Sequence, residues 1–222
     1  MKQTPGHDHH NPDLLKLMDR AFRAVVEVGC SRGALARAYR QAYPDTRYVG
    51  VEIDPEHAAA AAAHCSQVVC GDIEQLAEKD WSALFPSDCW VFGDSLEHLR
   101  DPWGVLRRVR SRIAGEGQVV ACIPNAQHWS VQARLATGLL RYEEQGLLDR
   151  THLRWFTRVT ILELFQSAGF KVVQMQPRIF QEPARDRLLP AIRSLAAAAG
   201  ADPELAARDA LALQYVVRAV PA

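Results

Sequence analysis

The chain has 222 residues, with 26 basic and 26 acidic side chains and a pI near 7.1. That length is enough for one large domain with a sizeable core. The charge balance argues against a generally basic nucleic-acid binder and against an acidic tail. No stretch approaches the roughly 18 apolar residues that cross a bilayer, and the first twenty residues lack the apolar core of a signal peptide.

In chain order, residues 1–20 read as a leader. Asn11 and Pro12 form a cap and first turn for a helix from Asp13 onward. "AVVEVG" (24–29) reads as the first strand, followed by a helix over 33–42. Further strands are expected at 47–52, 67–70, 89–94, 118–124, 170–176 and 213–220. Further helices fall near 55–64, 102–113, 128–137 and 158–168, and a helical excursion spans about 184–209. Short β-branched runs alternating with helix-length segments imply βαβ units and a mostly parallel, doubly wound α/β sheet with helices on both faces. Arg107, Arg108, Arg110 and Arg112 crowd one helix and read as a solvated face. Cys30, Cys65, Cys70, Cys89 and Cys122 form no C-x-x-C pair. They read as reduced, mostly buried thiols of a cytoplasmic protein.

The most informative stretch is "VVEVGCSRG" (25–33). In an open parallel sheet the turn after the first strand faces the ligand crevice. It does not match G-x-G-x-x-G, because Ser31 and Ala34 stand at two of the glycine positions. It also lacks the lysine of a P-loop. What fits is acid-x-G-x-x-x-G, through Glu27, Gly29 and Gly33. An acid there repels phosphate but suits an ammonium or ribose hydroxyls. Two more acids follow strand ends. Glu52 is placed to accept from ribose hydroxyls. Asp72 is placed to accept from an adenine amine, with Ile53 and Ile73 as apolar walls.

These stretches, with "YVGVEIDPE", "VVCGDIEQL" and "CWVFGDSLEHLRDPWGVL", resemble the class I S-adenosylmethionine-dependent methyltransferases. The likeness runs from about residue 11 to 220. It extends to a subgroup that includes ubiquinone-biosynthesis-type and polysaccharide-associated enzymes. The resemblance implies a Rossmann-like seven-stranded sheet whose last strand is antiparallel. The cofactor is then S-adenosyl-L-methionine, with S-adenosyl-L-homocysteine as product. Glu27 would lie near the methionine end, and Gly29, Cys30, Ser31 and Gly33 would run along the cofactor. Glu52 would take the ribose, Ile53 and Ile73 would flank adenine, and Asp72 would take its amine. Gly93 and Asp94 would line the methionine part. Ser31, where the family usually has glycine, and Ser95, where valine is common, depart from the pattern. The domain is expected over 21–222, with the leader as a lid and substrate-side segments near 125–157 and 177–210.

A hydroxyl acceptor needs a proton acceptor, and histidine suits neutral pH. His128 and His152 are the candidates, with Asp149 placed to hold the His152 tautomer; His98 more plainly orients a helix. Arg150 and Arg154 suit a phosphate or carboxylate clamp, or Arg154 ties the loop to the sheet. Trp129 and Tyr142 offer faces to sugar-like rings, whereas Trp155 and Phe156 read as core. His7, Asp8, His9 and His10 carry metal-ligand types, but a solvated tail is the plainer reading, and no metal is expected. The expected reaction is O-methylation of a small-molecule or sugar-like hydroxyl. A quinone-like phenol, an amine, a carboxylate and a non-catalytic cofactor-binding module stand as alternatives. A nucleic-acid substrate is not expected.

Overall fold

β-branched and aromatic runs form the strands, and the polar or glycine-bearing turns between them set their ends. The computed structural model describes residues 8–222, so His7 of the leader lies outside the described residues. The strands are β1 (Ala24–Val28), β2 (Arg47–Glu52), β3 (Gln67–Cys70), β4 (Cys89–Gly93), β5 (Gln118–Pro124), β6 (Phe170–Arg178) and β7 (Gln214–Pro221). The helices are α1 (Pro12–Leu17), α2 (Ala34–Ala42), α3 (Pro55–Ala61), α4 (Glu78–Ala83), α5 (Pro102–Arg110), α6 (Trp129–Ala136), α7 (Arg158–Ser167), α8 (Arg185–Ala198) and α9 (Pro203–Asp209).

The sheet order is β3-β2-β1-β4-β5-β7-β6. β1 to β5 pair in parallel, and β7 is antiparallel to both its neighbours. The strand order reverses between β1 and β4, which places a crevice beyond their carboxyl ends. β1, β4 and β5 are almost wholly buried, as expected of parallel strands covered on both faces. One face packs Val26, Val28, Trp90 and Phe92 with Trp81 of α4 and residues of α5 and α7. The other packs Val25 and Val91 with Tyr39 of α2, Ala61 of α3 and Leu14 and Leu17 of α1. Full burial of each large side chain contributes about 1.5–3 kcal/mol.

Some expectations are corrected. α4, which the sequence reading left out, is a short helix that inserts the fully buried Trp81. The excursion after β6 is two helices, broken where Gly200 adopts φ 75°. Trp155, expected in the core, is 38% exposed, whereas Phe156 is buried as expected. The arginine segment is not simply solvated. Arg108 and Arg112 both pair with Glu78, and Arg108 lies 4.2 Å over the Trp81 ring. Arg110 reaches the carbonyls of Gly169 and Ala222. The leader helix is as capped as its sequence implies, Asn11 accepting from the Asp13 amide at 3.0 Å, but Leu14, Leu17 and Met18 are core residues.

Candidate functional site

A cleft of about 880 Å³ opens at the carboxyl ends of β1 to β4. Its floor begins at the glycine turn. Gly29 donates its amide to the Val51 carbonyl at 2.8 Å and adopts φ 75°. A side chain there would meet Ser95 Cβ at 3.2 Å, so the turn passes close under the fourth-strand segment. Ser31 also takes a left-handed conformation, φ 47°. For a non-glycine residue that costs about 1–2 kcal/mol. The hydrogen bond from the Ser31 amide to Glu52 Oε2, 2.7 Å, offsets it, while its own hydroxyl is buried without a hydrogen-bond partner among the described residues.

Glu52 is held at both oxygens, since Oε1 accepts from the Asp54 amide at 2.9 Å. Two carboxylate oxygens offer about four acceptor positions, so each keeps capacity for a hydroxyl in the cleft. Glu27 is buried and accepts from the Tyr48 hydroxyl at 2.8 Å. Burial is the main cause that pushes its pKa up to about 8, against the lowering effect of that hydrogen bond. Such a carboxyl favours a nearby cation. Asp72 is more occupied. It accepts from the Glu74 amide, the Gln75 side chain at 2.7 Å and Arg100 at 2.9 Å. Ile53 is 44% exposed, a wall residue facing the opening rather than the core.

Of the residues singled out in the sequence, Glu27, Gly29, Cys30, Ser31, Glu52, Ile53, Asp72, Ile73, Gly93, Asp94 and His152 all line this cleft. Gly33 does not. It caps α2 at φ 79°, where a side chain would crowd the Ala61 backbone at 3.2 Å. His128 is likewise outside the lining, which removes it from the position expected of a base. It is a buried cap of α6, its Nδ1 2.8 Å from Ser130 Oγ and its Nε2 3.7 Å from Glu182. Burial lowers its pKa.

The two candidate histidines thus part company: His152 lines the cleft with His98 beside it, and His128 does not. His98 and His152 meet edge to face, ring centroids 4.8 Å apart. The His98 Nδ1 lies 3.1 Å from the Thr151 carbonyl, and the His152 Nδ1 lies 3.3 Å from the Leu147 carbonyl. Burial lowers both pKa values. The bond at His152 Nδ1 comes from Leu147, while Asp149 accepts from the Thr151 amide and hydroxyl, at 2.7 and 2.6 Å. Asp149 therefore positions the loop that holds His98, and its charge also bears on His152.

Sequence reasoning missed Glu97. It sits in a 3-10 turn, Leu96–His98, and its carbonyl accepts the Leu153 and Arg154 amides at 2.8 and 2.9 Å. The residue is 1% exposed, and among the described residues neither carboxyl oxygen has a hydrogen-bond partner. The signal was the charged residue embedded in "SLEHL", which the reading passed over for the neighbouring histidine. Arg150 and Arg154 do not line the cleft. Arg154 donates to the Arg100 carbonyl at 2.9 Å, tying the loop down, and Arg150 pairs with Glu144.

A switch-point cleft lined by acids at or just beyond the ends of β1, β2 and β3 is that of a Rossmann-like, doubly wound α/β fold. A methyltransferase-domain family model matches residues 8–175, and the chain belongs to that family, within the class I S-adenosylmethionine-dependent methyltransferases. Among curated proteins, none matches. Among solved structures, the magnesium protoporphyrin IX methyltransferase ChlM of Synechocystis PCC 6803, with bound SAH, is similar. Its TM-score is 0.61 at 11% identity, over 95% of this chain and 81% of that one. The mitomycin 7-O-methyltransferase MmcR gives 0.58 at 17% identity, over 95% of this chain and 53% of that one. The O-methyltransferase NcsB1 from neocarzinostatin biosynthesis, with SAH and 1,4-dihydroxy-2-naphthoic acid, gives 0.53 at 16%, over 90% and 49%. This chain spans about half the length of the last two. No helix among the described residues is long and apolar enough to cross a membrane.

Proposed function

We propose that this enzyme transfers a methyl group from S-adenosylmethionine to a hydroxyl of a small-molecule or sugar-like acceptor. The observation that carries the reading is one cleft lined both by the carboxylates Glu27, Glu52 and Asp72 and by two half-buried histidines in ring contact, His98 and His152. The donor set fits the cofactor. Glu52, fixed by two backbone amides, presents free acceptor positions to ribose hydroxyls. The half-exposed Ile53 offers an apolar seat to adenine, and the buried Glu27 suits the methionine ammonium. Asp72 takes the adenine amine by sharing the oxygen that now holds Arg100. When bound, the cofactor supplies a methyl group on a sulfonium sulfur, which departs with the bonding electron pair.

The protein's own work is to hold two reactants in line, exclude water and deal with the acceptor's proton. His98 and His152, half-buried and with burial lowering both pKa values, are the groups that can do the last. Similar enzymes acting on small molecules, MmcR and NcsB1 among them, support an acceptor of that size. The free cysteines, four of them buried, suit a reducing, cytoplasmic setting.

The test is calorimetric titration with S-adenosylmethionine and S-adenosylhomocysteine, with NAD beside them. An acceptor screen then runs from sugars to phenols, amines and carboxylates, reading S-adenosylhomocysteine release. Binding of the sulfonium cofactor and turnover with a hydroxyl acceptor is expected. Cofactor binding without turnover on any acceptor class would replace catalysis with a binding module. Turnover confined to amines or carboxylates would replace the acceptor.

A further inference from the structure

We infer that Glu97, His98 and His152 form a site for one divalent transition-metal cation at the acceptor end of the cleft. One ligating atom of each side chain lies within 4.8 Å of the other two, and all three residues line the cleft. Ligands each about 2.1 Å from a tetrahedral ion sit about 3.4 Å apart, so a pair at the upper separation closes by about 1.4 Å, a shift shared between two side chains.

The surroundings point the same way. Glu97 is 1% exposed, and among the described residues both its carboxyl oxygens lack a hydrogen-bond partner. Leaving a buried polar group unpaired is costly. A cation supplies the missing partner. Each histidine, meanwhile, spends Nδ1 on a backbone carbonyl, that of Thr151 or Leu147. A neutral ring donating from Nδ1 carries its lone pair on Nε2. Such a carbonyl partner is the usual means of fixing a metal-binding imidazole's tautomer and orientation. The carbonyl of Glu97 is itself bound by the Leu153 and Arg154 amides, so the turn carrying two ligands is stitched to the loop carrying the third.

The donor set also selects the ion. Calcium and magnesium prefer oxygen alone, whereas two imidazoles and a carboxylate suit zinc, cobalt, iron or manganese. Three protein ligands leave a position open to the cleft. The use made of that position rests on the methyl-transfer reading. The acceptor hydroxyl binds there, its O–H bond breaks, the proton goes to cleft water, and the electron pair stays on an oxygen held by the cation. His152 then acts as a ligand rather than as a proton acceptor.

The test titrates chelator-stripped full-length protein with Co²⁺, followed by visible absorption and by metal content per chain. S-adenosylhomocysteine binding is measured on the same samples. The expected result is one Co²⁺ per chain with ligand-field bands. Glu97→Gln and His152→Ala should each weaken it at least about 100-fold while keeping S-adenosylhomocysteine affinity. A His9→Ala, His10→Ala double variant should retain it, although both residues also line the cleft. Absent Co²⁺ binding, or binding lost only with the leader histidines, overturns the site. If S-adenosylhomocysteine still binds in that case, the methyl-transfer reading stands without the metal. If Co²⁺ binds through Glu97 but the cofactor does not, the site stands and its proposed use fails.

Discussion

The two ends of the cleft treat their carboxyl groups in opposite ways. At the β1–β2 end, Glu52 is held by two backbone amides and Glu27 by the Tyr48 hydroxyl. Beyond β4, Glu97 is as deeply buried, and among the described residues its carboxyl oxygens have no hydrogen-bond partner. The first arrangement is preorganised, because its acids are fixed before any ligand arrives and their spare acceptor positions point where hydroxyls fit. The second is incomplete, and its polar atoms acquire partners only when something binds. Burial alone does not distinguish an acid that is structural from one that awaits a ligand. The hydrogen-bond inventory does.

The largest effect that sharpens this contrast concerns Glu27. Its pKa rises from 4.5 to about 8 in the folded protein, so the folded state holds a proton that the unfolded state has released. The resulting destabilisation is absent below about pH 4.5, grows through that window and is complete above about pH 8. It amounts to roughly 5 kcal/mol at most. Denaturant titrations across the window should show the wild type losing stability relative to Glu27→Gln as pH rises. Parallel curves would mean that Tyr48 and the surrounding dipoles stabilise the anion more than burial opposes it.

Glu52→Ala comes next. It removes the anchor of the Ser31 amide together with the hydroxyl acceptor. S-adenosylhomocysteine affinity should fall by roughly 2–3 kcal/mol, about 30- to 150-fold by calorimetry. Unchanged affinity would sink the ribose assignment. Glu97→Leu should move stability the other way, raising it by about 1–3 kcal/mol because an unpaired buried carboxyl is replaced by an apolar group. A lowered Tm would show that Glu97 already has a stabilising role in the ligand-free protein. The smallest effect is Ser31→Gly. Relief of the left-handed backbone and the entropy cost of glycine nearly offset each other, leaving a gain within about 1 kcal/mol. A loss of stability would locate an unrecognised contact at the Ser31 hydroxyl.

The sheet was largely legible in the sequence because its strands are short β-branched runs buried on both faces, and such runs announce themselves without partners. The cofactor end was legible for a related reason. Glu27, Glu52 and Asp72 sit at or just beyond strand ends, and the chain order of the strands orders the acids. The histidine end was not, since Glu97 and His152 are brought together by contacts between the 3-10 turn and the 151–154 loop, the Glu97 carbonyl accepting two loop amides and His98 meeting Thr151 and His152. No spacing rule encodes that contact. His128 misled because it follows a strand and opens a helix, a position equally suited to catalysis and to capping, and the fold uses it for capping. Trp155 misled because its neighbour Phe156 is core, and adjacent residues in an extended segment face opposite ways.

The sheet order carries a consequence for how the molecule comes into being. β7 follows β6 in the chain but lies between β5 and β6, with Ala219 opposite Val119 and Pro221 opposite Phe170. A growing chain that has made β6 therefore has nowhere to put it. The edge of β5 stays open, with its amides and carbonyls unpaired, until β7 has also been made and has crossed back over about a hundred residues of sequence. During that interval the nascent protein offers a bare strand edge and an unattached strand, the combination that invites pairing with the wrong neighbour or capture by a chaperone. Arrival of β7 ends that exposure in one step, and because Gln214 at its start bonds Asp94, the same event completes the cleft.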